Sequence, residues 1–197
     1  MPLSGGTVQT LASSQAMARG LAIDDTTVYW GYDGGLRKVS KTGTSLTNLA
    51  TGYGSVWGVA VDASTGYFLS RGAKKLSSVS KSGGTVTDLA SDLNPTAIVL
   101  DSTHLYFTNG GELVKIGKNG VGRTALASGY SSLFGLDIDD THVFFSDIMG
   151  AVIVQAPKAG GVKVTRHTGG GPANMKLFNG VLYWRDAGEH RIYAMVK

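Results

Sequence analysis

The densest concentration of groups able to do acid–base or metal chemistry is RDAGEH, residues 185–190, which sets Arg185, Asp186, Glu189 and His190 within six positions. Carboxylates beside an imidazole can ligate a divalent cation or pass a proton. Asp147, at the end of VFFSD, adds an equivalent carboxylate to Asp186 at the end of LYWRD. The spacing fixes no ligand geometry, and an Asp at a strand end also hydrogen-bonds turn amides, which is the favoured role here. Asp137 and Lys176 stand at matching mid-strand positions where other segments have Ala22, Ala60 and Val99. A hydrolase with oxygen ligands converging from several segments would need acids at most of these positions, so a structural ion pair is expected instead. His104 and His142 occupy matching STH and DTH turns with no third ligand in view. No zinc site is expected there. The Gly-rich stretch TGGGPAN lacks the lysine and helix of a phosphate loop.

Composition narrows the field further. Charged residues make up 16% of the 197, glycine is plentiful at 29, and cysteine is absent. Disulfides, thiolate zinc sites and cysteine nucleophiles are thereby excluded. No apolar run approaches the ~18 residues of a membrane span, and MPLSGGTVQT lacks the basic and apolar segments of a signal peptide. The formal charge of +4 owes much to Lys41, Lys81, Lys118, Lys158 and Lys197, which recur at matching positions and should ring one rim. Soluble protection of strand edges is the favoured role of that ring, with attraction to an anionic surface as the other reading. No clustered arginines or aromatic–basic RNA motif accompany it, so no specific nucleic-acid partner is expected. No cofactor or metal is expected either.

The elements that must position these groups are written as a repeat. Tyr29-Trp30, Tyr67-Phe68, Tyr106-Phe107, Phe144-Phe145 and Tyr183-Trp184 place their second aromatics 38, 39, 38 and 39 residues apart. Ahead of them stand GLAID, GVAVD, AIVLD, GLDID and the divergent NMKLF; behind them, GLRKVSK, KLSSVSK, ELVKIGK, VIVQAPK and RIYAMVK. Each unit opens with one more run: TVQTLA, SLTNLA, TVTDLA, GRTALA or VKVTRH. Runs of five to seven residues rich in β-branched and aromatic side chains, closed by Gly, Asp, Asn, Ser or Thr, predict strands. Adjacent apolar residues such as Tyr29 and Trp30 face opposite sides of a sheet, so both sides need cover and each unit needs two neighbours. Closing the stack into a ring meets that need without capping repeats. The expectation is an all-β, single-domain, five-bladed β-propeller of four antiparallel strands per blade, with units near 1–41, 42–81, 82–118, 119–158 and 159–197. The N-terminal strand, residues 7–12, is expected to complete the last blade beside residues 191–197 and seal the ring, giving a monomer.

VYWGY, GYFLS, LYFTN, VFFSD and LYWRD resemble degenerate YWTD motifs, and the G-hydrophobic-A-hydrophobic-D and K-x-G-G patterns resemble bacterial propeller repeats of the YWTD and NHL-like type. The resemblance spans essentially the whole chain and implies an extracellular or periplasmic setting. Members commonly have six blades, so five is a departure. Propeller topology, carried over from the resemblance, gathers Tyr32, Tyr53, Trp57, Arg71, Tyr130, Phe134, Arg185, Asp186 and His190 on one face. The favoured reading is a non-enzymatic module that binds a glycan, peptide or small polar ligand around a central depression. The alternatives are a propeller lyase or metal-dependent hydrolase centred on Asp147, Asp186, Glu189 and His190, and an engineered or excised repeat scaffold without a ligand of its own.

Overall fold

The computed structural model describes residues 6–197. Among them there are strands and turns but no helix, and so none long and apolar enough to cross a membrane. The strands are β1 (Arg19–Ile23), β2 (Thr27–Ser40), β3 (Thr47–Val61), β4 (Thr65–Ser70), β5 (Lys75–Ser80), β6 (Thr87–Ala90), β7 (Pro95–Leu100), β8 (His104–Asn109), β9 (Glu112–Gly117), β10 (Thr124–Ala127), β11 (Leu133–Ile138), β12 (His142–Asp147), β13 (Val152–Pro157), β14 (Val164–Thr168), β15 (Pro172–Phe178), β16 (Val181–Asp186) and β17 (Arg191–Val196).

All pairing is antiparallel, in four sheets: β1 to β6, β7 to β10, β11 to β14, and the three strands β15 to β17. The six-stranded sheet holds two copies of the repeat. β2 pairs with β1 through its first half and with β3 through its second, while β3 pairs onward with β4. Register confirms the equivalence of the units: Leu21, Val59, Ile98, Leu136 and Met175 lie opposite Trp30, Phe68, Phe107, Phe145 and Trp184.

The core sits between successive units. One cluster contains Tyr29 with Phe68, the next Tyr67 with Phe107, then Tyr106 with Phe145, and last Phe144 with Trp184. The first aromatic of each unit therefore faces forward and the second faces back, as the strand period of two requires. Full burial of such a ring removes ~150–250 Å² from water, an upper bound of roughly 4–6 kcal/mol each. The leading strands follow one another around a common axis: β1 packs on β3, β3 on β7, β7 on β11 and β11 on β15. Glycines permit this close approach. A Cβ on Gly20, whose φ is +50°, would lie 2.4 Å from the Trp57 carbonyl oxygen, and one on Gly135 would lie 2.9 Å from Met175.

A polar clasp repeats at every interface. Asp24, Asp62, Asp101 and Asp139 each accept two amides of their own hairpin turn on Oδ1. Their Oδ2 atoms take the lysine of the following unit: Lys81 at 2.5 Å, Lys118 at 3.0 Å, Lys158 at 3.0 Å and Lys197 at 2.7 Å. Three of them also accept the hydroxyl of the forward aromatic, from Tyr29, Tyr67 and Tyr106. The rim lysines are thus neither simple edge guards nor a free cationic ring; four of the five are spent on interfaces. Burial raises the Asp139 carboxyl, but Lys197 and the amides of Thr141 and His142 outweigh it and hold the group at about 2. Lys81 chiefly holds the Asp24 carboxyl well below the usual carboxylate range, and burial raises that of Asp101 but its turn amides, Tyr106 and Lys158 outweigh it and hold it well below that range too. Burial, with the nearby Asp62 charge, lifts the Tyr67 phenol to about 12.

The expected seal is not formed. β17 pairs only with β16, residues 7–12 form no strand, and among the described residues no comparable packing joins β15 back to β1. Instead Gln9 donates to the Thr42 carbonyl, and residues 10–12 lie over Val28, Trp30 and Val39 of the first unit. The reason lies in the last hairpin. Phe178 occupies the place of the clasp aspartates, so the last unit offers Lys41 no carboxylate, and the backward apolar face of the first unit takes cover from the nearest available chain instead.

Candidate functional site

The axis opens into a depression of about 360 Å³ lined by Arg19, Gly20, Leu21, Trp57, Gly58, Val59, Thr96, Ala97, Ile98, Phe134 and Asn174. Every one of the five leading strands contributes. The residue two positions before the leading-strand apolar residue that lies opposite the second aromatic is Arg19, Trp57, Thr96 or Phe134 in the first four units; in the fifth, Asn174 reaches the same rim across the irregular register between Ala173 and Met175. Thr96 is fixed by hydrogen bonds with the Thr108 hydroxyl and the Leu133 carbonyl. That repeated place is filled by a cation, two aromatics, a hydroxyl and an amide, a variety that uniform packing does not require.

Trp57 is the centre of its chemistry. The Arg19 guanidinium lies 4.2 Å and that of Arg71 4.5 Å from the indole ring centroid, while the indole Nε1 donates to Ser55 Oγ at 3.1 Å. Arg71 also donates to Asn94, and Arg185 reaches Asn174 at 3.5 Å. No carboxylate lines the depression among the described residues. Two like charges held against one ring create a field that favours an anion, softened but not cancelled by the ring quadrupole.

Of the residues singled out from the sequence, the structure brings Trp57 and Phe134 into the depression, Arg71 onto Trp57, and Arg185 to its edge. The others lie apart from it. Tyr53 packs edge-on against Phe68 at 5.0 Å and donates to Asp88, and Tyr130 packs edge-on against Phe145 at 4.9 Å. Both fill gaps between units. Tyr32 lies under the Arg37 guanidinium at 3.8 Å, and exposed His190 sits at a left-handed turn position. Asp186 is buried and accepts the amides of Glu189 at 2.7 Å and Gly171 at 2.9 Å, which hold its carboxyl below the usual range. Asp147 is likewise buried; the amides of Ser131, Gly150 and Ser132 outweigh its burial and keep it ionised. With their oxygens engaged by turns, these carboxylates are poorly placed to ligate a cation or carry a proton. Among the described residues no group of three or more His, Cys, Asp or Glu could hold a metal. The Asp137–Lys176 pair forms at 2.9 Å, with the buried Asp137 also accepting the Leu177 amide, so it ties the last two units together.

Arg19, Thr96 and Asn174 were missed in the sequence. Arg19 and Thr96 share with Trp57 and Phe134 the position just before GLAID, AIVLD, GVAVD and GLDID, a variable column in an otherwise uniform repeat, whereas Asn174 falls one place later and reaches the rim only through the irregular register.

No protein-family model matches the chain, and no curated protein matches its sequence. Solved structures are similar in fold. A chain of a nidogen/laminin complex aligns with a TM-score of 0.81 at 21% identity, covering 92% of this chain and 76% of that one. The computationally designed Ika8 protein aligns at 0.76 and 14% identity, covering 91% and 58%. BamB from Moraxella catarrhalis aligns at 0.68 and 18% identity, covering 93% and 58%. The chain thus spans less than two thirds of the last two. These likenesses establish a β-propeller repeat fold.

Proposed function

We propose that the five units act as five blades of one propeller domain and that the protein is a non-enzymatic interaction module, taking its ligand in the axial depression. The observation that carries this reading is the convergence of Arg19, Trp57, Thr96, Phe134 and Asn174 from five successive strands around one opening. A similar fold in a nidogen/laminin complex supports an interaction role. Within the wider choice of glycan, peptide or small polar ligand, the two guanidiniums on Trp57 and the apolar ring of Phe134 favour a peptide segment that carries an acidic group beside an apolar one. The test is a peptide-display and glycan-array screen with the parent protein and with Trp57→Ala. Acidic peptides that bind the parent, weaken with salt and are lost from Trp57→Ala are expected. A screen with no signal above background, or hits indifferent to Trp57→Ala, would overturn the assignment of the site.

A further inference from the structure

Each of the first four leading-strand hairpins is completed on its outer edge by a strand of the next sequence unit: the start of β3, then β6, β10 and β14. Among the described residues the fifth, β15 to β17, has no such partner, and the outer edge of β17 is open. The same chain carries one spare outer-strand sequence, TVQTLA at 7–12, which matches TVTDLA at 85–90 and is in no strand. One vacancy and one unused strand per chain make a matched set.

The seam opposes use of that strand within its own chain. Closing it would face Phe178 toward Lys41, which is exposed and has no ion pair among the described residues. It would also bury Arg185, whose counterparts Leu69, Thr108 and Ser146 are each 0% exposed. Desolvating two cations without partners is unfavourable. Adding a strand to the edge of β17 requires neither. The present seat of residues 10–12 is also poorly filled: it borders an open cleft of about 480 Å³, and the buried Trp30 Nε1 has no acceptor among the described residues. Residues 13–18 provide a connector with left-handed positions at Ser14 and Met17, the sort of hinge through which identical elements are exchanged.

We infer that residues 7–12 of a second copy of this chain add to the free edge of β17, so that two protomers exchange N-terminal strands. The register follows from the β5–β6 pair, where Leu76 faces Ala90 and Ser78 faces Thr87. Ile192 then faces Ala12, and Ala194 faces Gln9, of the second copy. This differs from the monomer expected from sequence and is independent of the ligand proposed above.

The absence of native cysteine makes engineered cross-linking clean. Gln9→Cys and Ala194→Cys proteins are prepared separately, refolded together and oxidised, with melting curves confirming that both fold. A disulfide-linked heterodimer is expected from the mixture but no linked dimer from either protein alone. Light scattering of the unmodified protein should give twice the chain mass, and deletion of residues 1–12 should return it to one. A monomer-sized internal cross-link in the diluted double variant, no cross-link in the mixture, a unit mass for the unmodified protein, or a dimer that survives the deletion would each overturn the exchange.

Discussion

Tyr106 and Tyr183 hold the same place in their units, yet Tyr106 is 1% exposed and Tyr183 is 41% exposed. Leu113 and Ile192, likewise equivalent, differ as 0% and 74%. The inner interfaces combine a forward aromatic, a backward aromatic and an aspartate–lysine clasp; the terminal faces have the aromatics but only the lysine half of the clasp. Equivalent strands therefore yield different energetics according to whether a complementary neighbour is present, and the clasp residue at 178 marks the difference.

The largest effect should come from Phe107→Ala, which empties a fully buried site between units and is expected to cost about 3–5 kcal/mol in urea unfolding. Ile192→Ala removes a comparable apolar side chain from the bare face and should change stability by less than about 0.5 kcal/mol. Equal losses would show that the bare face is covered in solution.

Acid should act on all the clasps together. Their aspartates have folded-state values below the ~3.9 of an unfolded chain, so their stabilisation is complete above that value and fades as pH falls through about 4 toward 2 and below. A urea midpoint flat from pH 5 to about 4 and declining beneath it is the expected profile; no decline would remove the clasps from the stability account. Singly, Asp101→Asn should cost about 1–3 kcal/mol, since it discharges a carboxylate that serves two turn amides, Tyr106 and Lys158. The smallest effect belongs to Phe178→Asp, which restores the missing acid at the seam. Without a lysine facing it, the change should stay within about 0.5 kcal/mol; a larger gain abolished by Lys41→Met would show that the first and last units meet.

Much of this fold was legible in the sequence because aromatic spacing, strand length and turn residues all repeat in register. The antiparallel hairpins, and the offset that gives the first four their outer strand from the next unit, followed from that repeat, whereas the joining of the first two copies into one six-stranded sheet did not. The seal was not legible, because it depends on Phe178 and Arg185, two departures whose cost appears only when facing surfaces are compared. Asp24, Asp62, Asp101 and Asp139 recur as regularly as the lysines, yet their pairing spans units and cannot be seen within one. The site was half readable: Trp57 and Phe134 stand out as aromatics, whereas Arg19, Thr96 and Asn174 gain meaning only from a shared position around the axis.

Each clasp joins an aspartate to a lysine 56 to 58 residues further along the chain. During synthesis, a hairpin therefore leaves the ribosome before the residue that fastens it exists, and waits about one and a half repeats for it. Assembly acquires a direction: every new unit locks its predecessor.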